Sequence, residues 1–286
     1  MLRYVARLPQ ALPEVQRVNG KEQPLSFDLQ PAIDPDVLLE ILIHAEKIDA
    51  VVVGGQALNV WAEFFSEAAG NELSKFAPYQ SKDIDFLGDR DAARHLASLL
   101  KGKERFPDRD DFVTPNSAIV EFERGGTQYV IDFLGKVAGV EVKEIRETAI
   151  TIDARYDGEH AVGIRVAHPL LVLKTRIAGL TILRRTDPGS IRQMNAAPVV
   201  CKAYLSQELD RLAGVLEPNR KQQHRVVTKQ IEEFVRVAKN QDADHLFNTY
   251  GIDLLPQLNE LADHPELHPV FAECQVRQPS SRHVLK

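Results

Sequence analysis

Cysteine, aromatic residues and long apolar runs are all scarce in this chain of 286 residues. Only Cys201 and Cys274 occur, which excludes a disulfide framework and fits a reducing compartment. They form no C-x-x-C pair, which argues against a structural zinc site. No apolar run approaches the roughly 20 residues that cross a bilayer, and the first residues lack the apolar core of a signal peptide. We therefore expect a cytoplasmic protein without a membrane segment.

Charge is distributed unevenly along the chain. The formal net charge is −6, yet residues 165–240 hold 14 Lys and Arg against 6 Asp and Glu. A basic segment between two acidic ones predicts a local surface for polyanions such as RNA or tRNA. The alternative is that these cations lie on the solvated faces of long helices. Composition alone does not decide between the two.

Hydrophobic periodicity divides the chain into three predicted parts. Residues 1–33 contain four prolines and little periodicity, which predicts an N-terminal arm. Residues 34–167 alternate helix and strand patterns, and residues 168–286 are mainly helical, with a tail that is expected to be loosely ordered. The predicted fold class is α+β, with a mainly α-helical domain after the sheet-forming one.

Proline, aspartate and glycine mark three local features. Asp34 before Pro35 predicts the start of the first helix, because aspartate is a good N-cap and proline suits the first helical position. Gly125 and Gly126 separate two alternating runs, which predicts a β-hairpin. Pro198 falls within a long helical pattern and is expected to interrupt that helix.

Two aspartates alternate with apolar residues in the strand pattern KDIDFLG. On a strand, Asp83 and Asp85 project to the same face, and their like charges repel unless solvent or a cation lies between them. A third aspartate, Asp132, has similar neighbours in YVIDFLG, and adjacent strands would bring the three carboxylates together. Carboxylate oxygens suit Mg²⁺, which takes one or two protein ligands and leaves room for substrate phosphates.

A glycine pair ends the buried strand pattern VVV. Gly54 and Gly55 permit a tight turn and let backbone N–H groups approach a ligand. The predicted helix that follows presents its N-terminus, which favours phosphate. One loop would thus hold a triphosphate, while the three aspartates hold metal ions that bridge it to an attacking hydroxyl.

This order of strand, Gly-Gly, helix, Asp-x-Asp strand and later Asp strand resembles the DNA polymerase β-like nucleotidyltransferase superfamily. The resemblance implies a mixed sheet with flanking helices and a catalytic domain over residues 34–167. It also implies that Gly54 and Gly55 bind the nucleotide phosphates. Two Mg²⁺ ions would then be held by the three acids, which are Asp83, Asp85 and Asp132.

Within that superfamily, VVGGQAL, KDIDF and PLLVLKTR are most similar to bacterial abortive-infection and toxin–antitoxin nucleotidyltransferases. The similarity implies that Lys174 lies near the triphosphate. Gln56 stands where relatives often carry a small hydroxyl residue, and its amide is expected to contact a phosphate. Because 27 positions separate Gly55 from Asp83, more than the superfamily usually has, residues 64–80 are expected to form an insertion.

These residues predict an enzyme that transfers a nucleoside monophosphate from an NTP such as ATP to a hydroxyl of RNA, tRNA or protein. A toxin-type enzyme would also have a cognate antitoxin as partner. Two alternatives stay open at this point. A transferase acting on a small, antibiotic-like alcohol would use the same acids, and a non-enzymatic regulatory partner would not need them to bind Mg²⁺-NTP.

Overall fold

The chain is represented by a computed structural model. It describes residues 4–5, 33–66, 72–77, 79, 83–108, 114–155, 161–215, 219–262, 264 and 267. Most of the predicted N-terminal arm, part of the predicted insertion and the end of the predicted tail lie outside these ranges.

In the part of the chain that the structure describes, eight strands form one mixed sheet. They are β1 (Tyr4–Val5), β2 (Val51–Val53), β3 (Ile84–Leu87), β4 (Lys103–Arg105), β5 (Asn116–Arg124), β6 (Thr127–Leu134), β7 (Ile150–Arg155) and β8 (Ala161–Val166). Their order across the sheet is β1-β7-β8-β2-β3-β6-β5-β4. Strand β3 runs antiparallel to β2 and parallel to β6, and β2 runs parallel to β8.

Helices flank the sheet and dominate the C-terminal part. They are α1 (Pro35–Ala45), α2 (Gly54–Phe64), α3 (Arg90–Leu100), α4 (Val142–Thr148), α5 (Pro169–Thr181), α6 (Pro188–Ala213), α7 (Asn219–Ala238), α8 (Gln241–Tyr250) and α9 (Leu255–Ala262), with a 3₁₀ helix at Leu73–Phe76. The predicted α+β class with a helical C-terminal part is therefore confirmed. The helices within the described ranges include none that is long and apolar enough to span a bilayer.

The centre of the sheet is strongly apolar. The three valines of β2 are each 1% exposed, as expected for a strand that is covered on both faces. One hydrophobic core joins the sheet to the C-terminal helices. Trp61 of α2 lies within that core, and its indole N–H donates to the carbonyl oxygen of Ala167 at 2.8 Å. This bond fixes α2 against the start of α5.

Several local predictions are confirmed. The Asp34 side chain accepts hydrogen bonds from the N–H groups of Asp36 and Val37, so α1 begins where the N-cap signal placed it. Gly125 and Gly126 both have positive φ and connect β5 to β6 in an antiparallel hairpin, because glycine enters that region without a steric penalty.

One helix prediction was wrong. Pro198 lies inside α6, which continues from Pro188 to Ala213 without a break, because the packing of a long helix outweighs one missing hydrogen bond. Helix α3 ends with Lys101 in the left-handed conformation at φ 55°. The sequence patterns also missed α4, α8 and α9, which are short.

The described part of the predicted insertion packs against the helical part. Leu73 of the 3₁₀ helix is fully buried. The Lys202 ammonium of α6 forms ion pairs with Glu72 at 2.6 Å and with Glu260 of α9 at 2.5 Å. The segment before β3 is thus fixed to two C-terminal helices.

The two prolines of α6 predict opposite responses to substitution. Pro198 has no N–H to donate to the Met194 carbonyl, so Pro198→Ala is expected to raise the free energy of unfolding by about 1–3 kcal/mol. Pro188 occupies the start of the helix, where no bond is lost, so Pro188→Ala should leave stability unchanged or slightly lower. Chemical denaturation of both variants measures the difference. A loss of stability in Pro198→Ala would contradict this account.

Candidate functional site

The glycine turn and two of the aspartates meet at the centre of the sheet. Gly54 follows β2 directly and is the first residue of α2. Asp85 of β3 pairs with Val53 of β2 on one side and with Asp132 of β6 on the other. Asp83 immediately precedes β3, and its charge raises the pKa of both other aspartates. The structure therefore brings the predicted acids and the glycine turn to one place.

Glycine is required at position 54 by the backbone conformation there and by the nearby Asp85 side chain. Its φ is +67°, in the region that favours glycine, and a Cβ there would overlap Oδ2 of Asp85. Val53 offers no side-chain cap to α2, so the first N–H groups of this helix have no partner within the helix. A helix N-terminus with its partial positive charge thus lies beside the Asp85 carboxylate.

Burial and neighbouring charge act together on Asp85. The pKa of Asp85 is raised to about 6. Burial is the largest cause, and the Asp132 carboxylate is the second. The guanidinium groups of Arg176 and Arg185 lower the same pKa and offset part of this cost. The ionised form of Asp85 is therefore disfavoured unless more positive charge is supplied.

Asp132 has a similar environment with one hydrogen bond added. Burial raises its pKa first, and the Asp83 carboxylate raises it next. The Asn116 side-chain amide donates to Oδ1 of Asp132 at 2.9 Å, which favours the charged form. Sequence analysis missed Asn116, because its place beside Asp132 follows from the β5–β6 register rather than from any motif.

These carboxylates fit a hard divalent cation. Within the described ranges, no three His, Cys, Asp or Glu side chains lie close enough to hold one ion by themselves. Mg²⁺, however, usually takes one or two carboxylates and completes its shell with water and substrate phosphates. Asp85 and Asp132 are adjacent in register, and each has a raised pKa. That pair meets the requirement, whereas a full set with Asp83 as third ligand stays a prediction.

Arg176, one of the basic residues for which a solvated helix face was the alternative to polyanion binding, lies beside the glycine turn. Its Nη1 donates to Oε1 of Gln193 on α6 at 2.8 Å, and its Nε is buried without a partner among the described residues. Gln193 in turn lies over the glycine turn, because a Cβ on Gly55 would come within 2.7 Å of its amide nitrogen. Two C-terminal helices thus bring a guanidinium and an amide to the N-terminus of α2.

The structure places Lys174 elsewhere. Its ammonium forms ion pairs with Glu233 of α7 at 2.7 Å and Glu144 of α4 at 3.3 Å. Residues two apart on an α-helix point about 200° apart, so Lys174 and Arg176 cannot both face Asp85. The predicted contact of Lys174 with a triphosphate is not among its described interactions.

Gln56 is buried at the start of α2. It is 4% exposed, and its side-chain carbonyl lies 3.5 Å from the amide nitrogen of Asn59 one turn later. Its backbone N–H belongs to the uncapped first turn of the helix. The predicted phosphate contact by its side chain stays a prediction.

Comparison with known proteins gives one structural similarity. No protein-family model and no curated protein matches the sequence. Among solved structures, the Megavirus polyadenylate synthase is similar to this chain at 14% sequence identity and a TM-score of 0.35. The similar region covers 70% of this chain and 46% of the viral chain. A similarity of this size assigns no activity.

The contact between Gly54 and Asp85 predicts different costs for two glycine substitutions. Gly125 also has positive φ, but a Cβ there would meet nothing within 4 Å, so Gly125→Ala should cost only the left-handed strain of about 1–2 kcal/mol. Gly54→Ala should cost about 1–3 kcal/mol more, because the methyl group displaces the Asp85 carboxylate. Equal losses in the free energy of unfolding, measured by chemical denaturation, would show that the contact is absent.

Because the pKa of Asp85 is raised, we predict that the free energy of unfolding falls as the pH rises when no divalent cation is present. Below pH about 4 the carboxyl is protonated in both states, whereas between pH about 4 and 6 only the folded chain keeps the proton. The free energy of unfolding should therefore fall by up to about 1.4 kcal/mol per pH unit in that window and level off above it. Asp85→Asn lacks this titration. Both proteins are measured with a chelator present. If their free energies of unfolding differ by the same amount at every pH from 4 to 7, the raised pKa does not belong to Asp85.

Proposed function

We propose that the chain is a Mg²⁺-dependent nucleotidyltransferase that moves a nucleoside monophosphate from an NTP to an acceptor hydroxyl. The observation that carries this proposal is the in-register pair Asp85–Asp132 beside the uncapped N-terminus of α2 at Gly54. Carboxylates suited to a cation and N–H groups suited to phosphate are both needed to bind an NTP for transfer.

Each residue has a role that follows from its chemistry. Asp85 and Asp132 would hold Mg²⁺, with Asp83 adding negative charge just before the start of β3. Bound Mg²⁺ would supply neutralisation of the phosphate charge and a lower pKa for the acceptor hydroxyl. The N–H groups of Gly54 and Gly55 would bind phosphate oxygens, since the glycines leave the backbone uncovered.

Arg176 would contribute the positive charge first expected of Lys174. Its guanidinium lies on the side of α5 that faces Asp85, and its Nε has no described partner. Arginine binds phosphate through a planar fork of donors that remains charged at any physiological pH. A triphosphate would thus be bound by the N–H groups of the glycine turn and by the Arg176 guanidinium.

The reaction can be written with its bonds balanced. The acceptor oxygen forms a bond to the α-phosphorus, and the bond from that phosphorus to the oxygen bridging to the β-phosphate breaks. Pyrophosphate leaves with the bonding electron pair. The proton of the acceptor hydroxyl passes to the Asp132 carboxylate.

Cavities beside α6 do not identify the acceptor. The cleft between α2 and α6, lined by Asn59 and Tyr79 among others, holds only about 10 Å³, which is room for about one water. A larger cavity of about 160 Å³ lies between the 3₁₀ helix, α6 and the α8–α9 connection, and none of the proposed site residues lines it. RNA, protein and a small alcohol therefore all remain candidate acceptors. A toxin role and a cognate antitoxin stay predictions.

A labelling experiment tests the proposal. Each α-³²P-labelled NTP is incubated with Mg²⁺, cellular RNA and wild type, Asp85→Asn or Asp153→Asn. Asp153 lies on β7, and two strands separate β7 from β3, so its substitution serves as the matched control. We expect transfer of label by wild type and Asp153→Asn, and a loss of at least about 100-fold in Asp85→Asn.

The location of the label separates the alternatives. Label on the protein itself would indicate protein modification, and Mg²⁺-NTP binding without transfer would favour a small-molecule acceptor. Absence of Mg²⁺-NTP binding by wild type would overturn the enzyme proposal and leave the regulatory one.

A further inference from the structure

Part of the basic charge in residues 165–240 is neutralised within the protein. The cations that form ion pairs with described acidic side chains include Arg165, Lys174, Lys202, Arg211 and Arg236. Arg176 is turned towards Asp85. The segment therefore does not form one continuous polyanion surface, and binding would have to occur where unpaired cations remain.

One such place is the turn between α5 and α6, which we call the rim turn (residues 182–185). Ile182 is 64% exposed and Leu183 is 50% exposed. Arg184 and Arg185 follow them directly, and neither forms an ion pair within the described ranges. Two exposed apolar side chains next to two unpaired guanidinium groups are an unusual combination for a solvated surface.

The rim turn joins α5 to α6, the two helices whose Arg176 and Gln193 meet beside the glycine turn. It therefore lies close to the proposed active site, and the influence of the Arg185 charge on Asp85 agrees with this placement. The nearest acid along the chain, Asp187, is occupied as the cap of α6, where it accepts from the backbone N–H of Ser190 at 3.0 Å. The positive charge of the turn is therefore available to a ligand.

The conformation of the rim turn is fixed by backbone hydrogen bonds. The N–H of Leu183 donates to the Ala178 carbonyl at 3.0 Å, and the N–H of Arg185 donates to the Gly179 carbonyl at 2.9 Å. Arg184 has φ of 53°, which closes the turn. A ligand would thus meet an ordered surface and would lose little affinity to ordering the backbone.

We propose that the rim turn binds the acceptor end of a single-stranded RNA, an inference that rests on the proposed nucleotidyltransferase activity. The faces of the terminal bases pack against Ile182 and Leu183, as aliphatic wedges do in other nucleic-acid complexes. The adjoining phosphates bind Arg184 and Arg185. The terminal hydroxyl is then directed towards Asp132 and the α-phosphorus.

The exposed face of α7 offers the obvious competing surface. Lys221, Arg225 and Lys229 recur at four-residue spacing, and Val226 beside them is 51% exposed. Glu233 of this helix pairs with Lys174, which lies on the side of α5 opposite to Arg176, so α7 packs away from the proposed site. An RNA bound there alone would not be aligned with the site. This face therefore provides a control of matched composition.

Fluorescence anisotropy with a labelled single-stranded RNA of about ten nucleotides tests the proposal in the presence of Mg²⁺. Ile182→Ala with Leu183→Ala should weaken RNA binding by about tenfold. Arg184→Asn, which tolerates the left-handed backbone, should reduce the slope of log Kd against log salt by about 0.7. Arg225→Gln with Val226→Ala should change Kd by less than about twofold.

Binding of Mg²⁺-NTP to wild type, measured by calorimetry, separates the proposed activity from RNA binding by the rim turn. Unchanged RNA affinity in the rim-turn variants, or a loss confined to the α7 variant, would overturn the rim-turn assignment. If wild type binds Mg²⁺-NTP but no RNA, this inference fails while the proposed activity stands, with a protein or small molecule as acceptor. If wild type binds no Mg²⁺-NTP, both fail.

Discussion

Two carboxylates held side by side at the centre of the sheet are the constraint on which the site depends. The parallel register of β3 and β6 pairs Asp85 with Asp132, although burial and like charge both oppose their ionisation. The apolar residues that alternate with them hold this register in place. Phe86 and Phe133, which follow the two aspartates, are fully buried and their rings lie 5.6 Å apart. A slip of β3 by one residue would turn Phe86 away from Phe133. The packing of these rings therefore keeps the two carboxylates together despite their mutual repulsion.

The helical C-terminal part completes the site that the sheet begins. The sheet contributes negative charge, whereas α5 and α6 contribute Arg176 and Gln193, which reach the glycine turn from the other side. The bond from Trp61 to the Ala167 carbonyl holds the start of α5 against α2. Because one hydrophobic core runs through both parts, the distance between the opposite charges is set by packing rather than by a hinge.

Local patterns revealed the glycine turn and the aspartates, because each rests on the spacing of neighbouring residues. The pairing of Asp85 with Asp132 required the strand register, which depends on contacts between distant segments. The sequence predicted Lys174, rather than Arg176, as the cation near the triphosphate for a different reason. Helix α5 is buried almost all round, so its sequence lacks the amphipathic pattern that would show which side faces the sheet. Asn116 was missed for the same long-range reason, since only the hairpin register brings it to Asp132.

The order of the chain has a consequence for its synthesis on the ribosome. A growing chain that ends after β3 contains Asp85 but lacks Asp132, which is 47 positions further on. The parallel pair forms only after β6 has emerged, and Gln193, which fixes Arg176, emerges later still. Pairings across such long separations close slowly. The nascent protein therefore carries its glycine turn and first acids long before the rest of the candidate site, which is assembled only when most of the chain has been made.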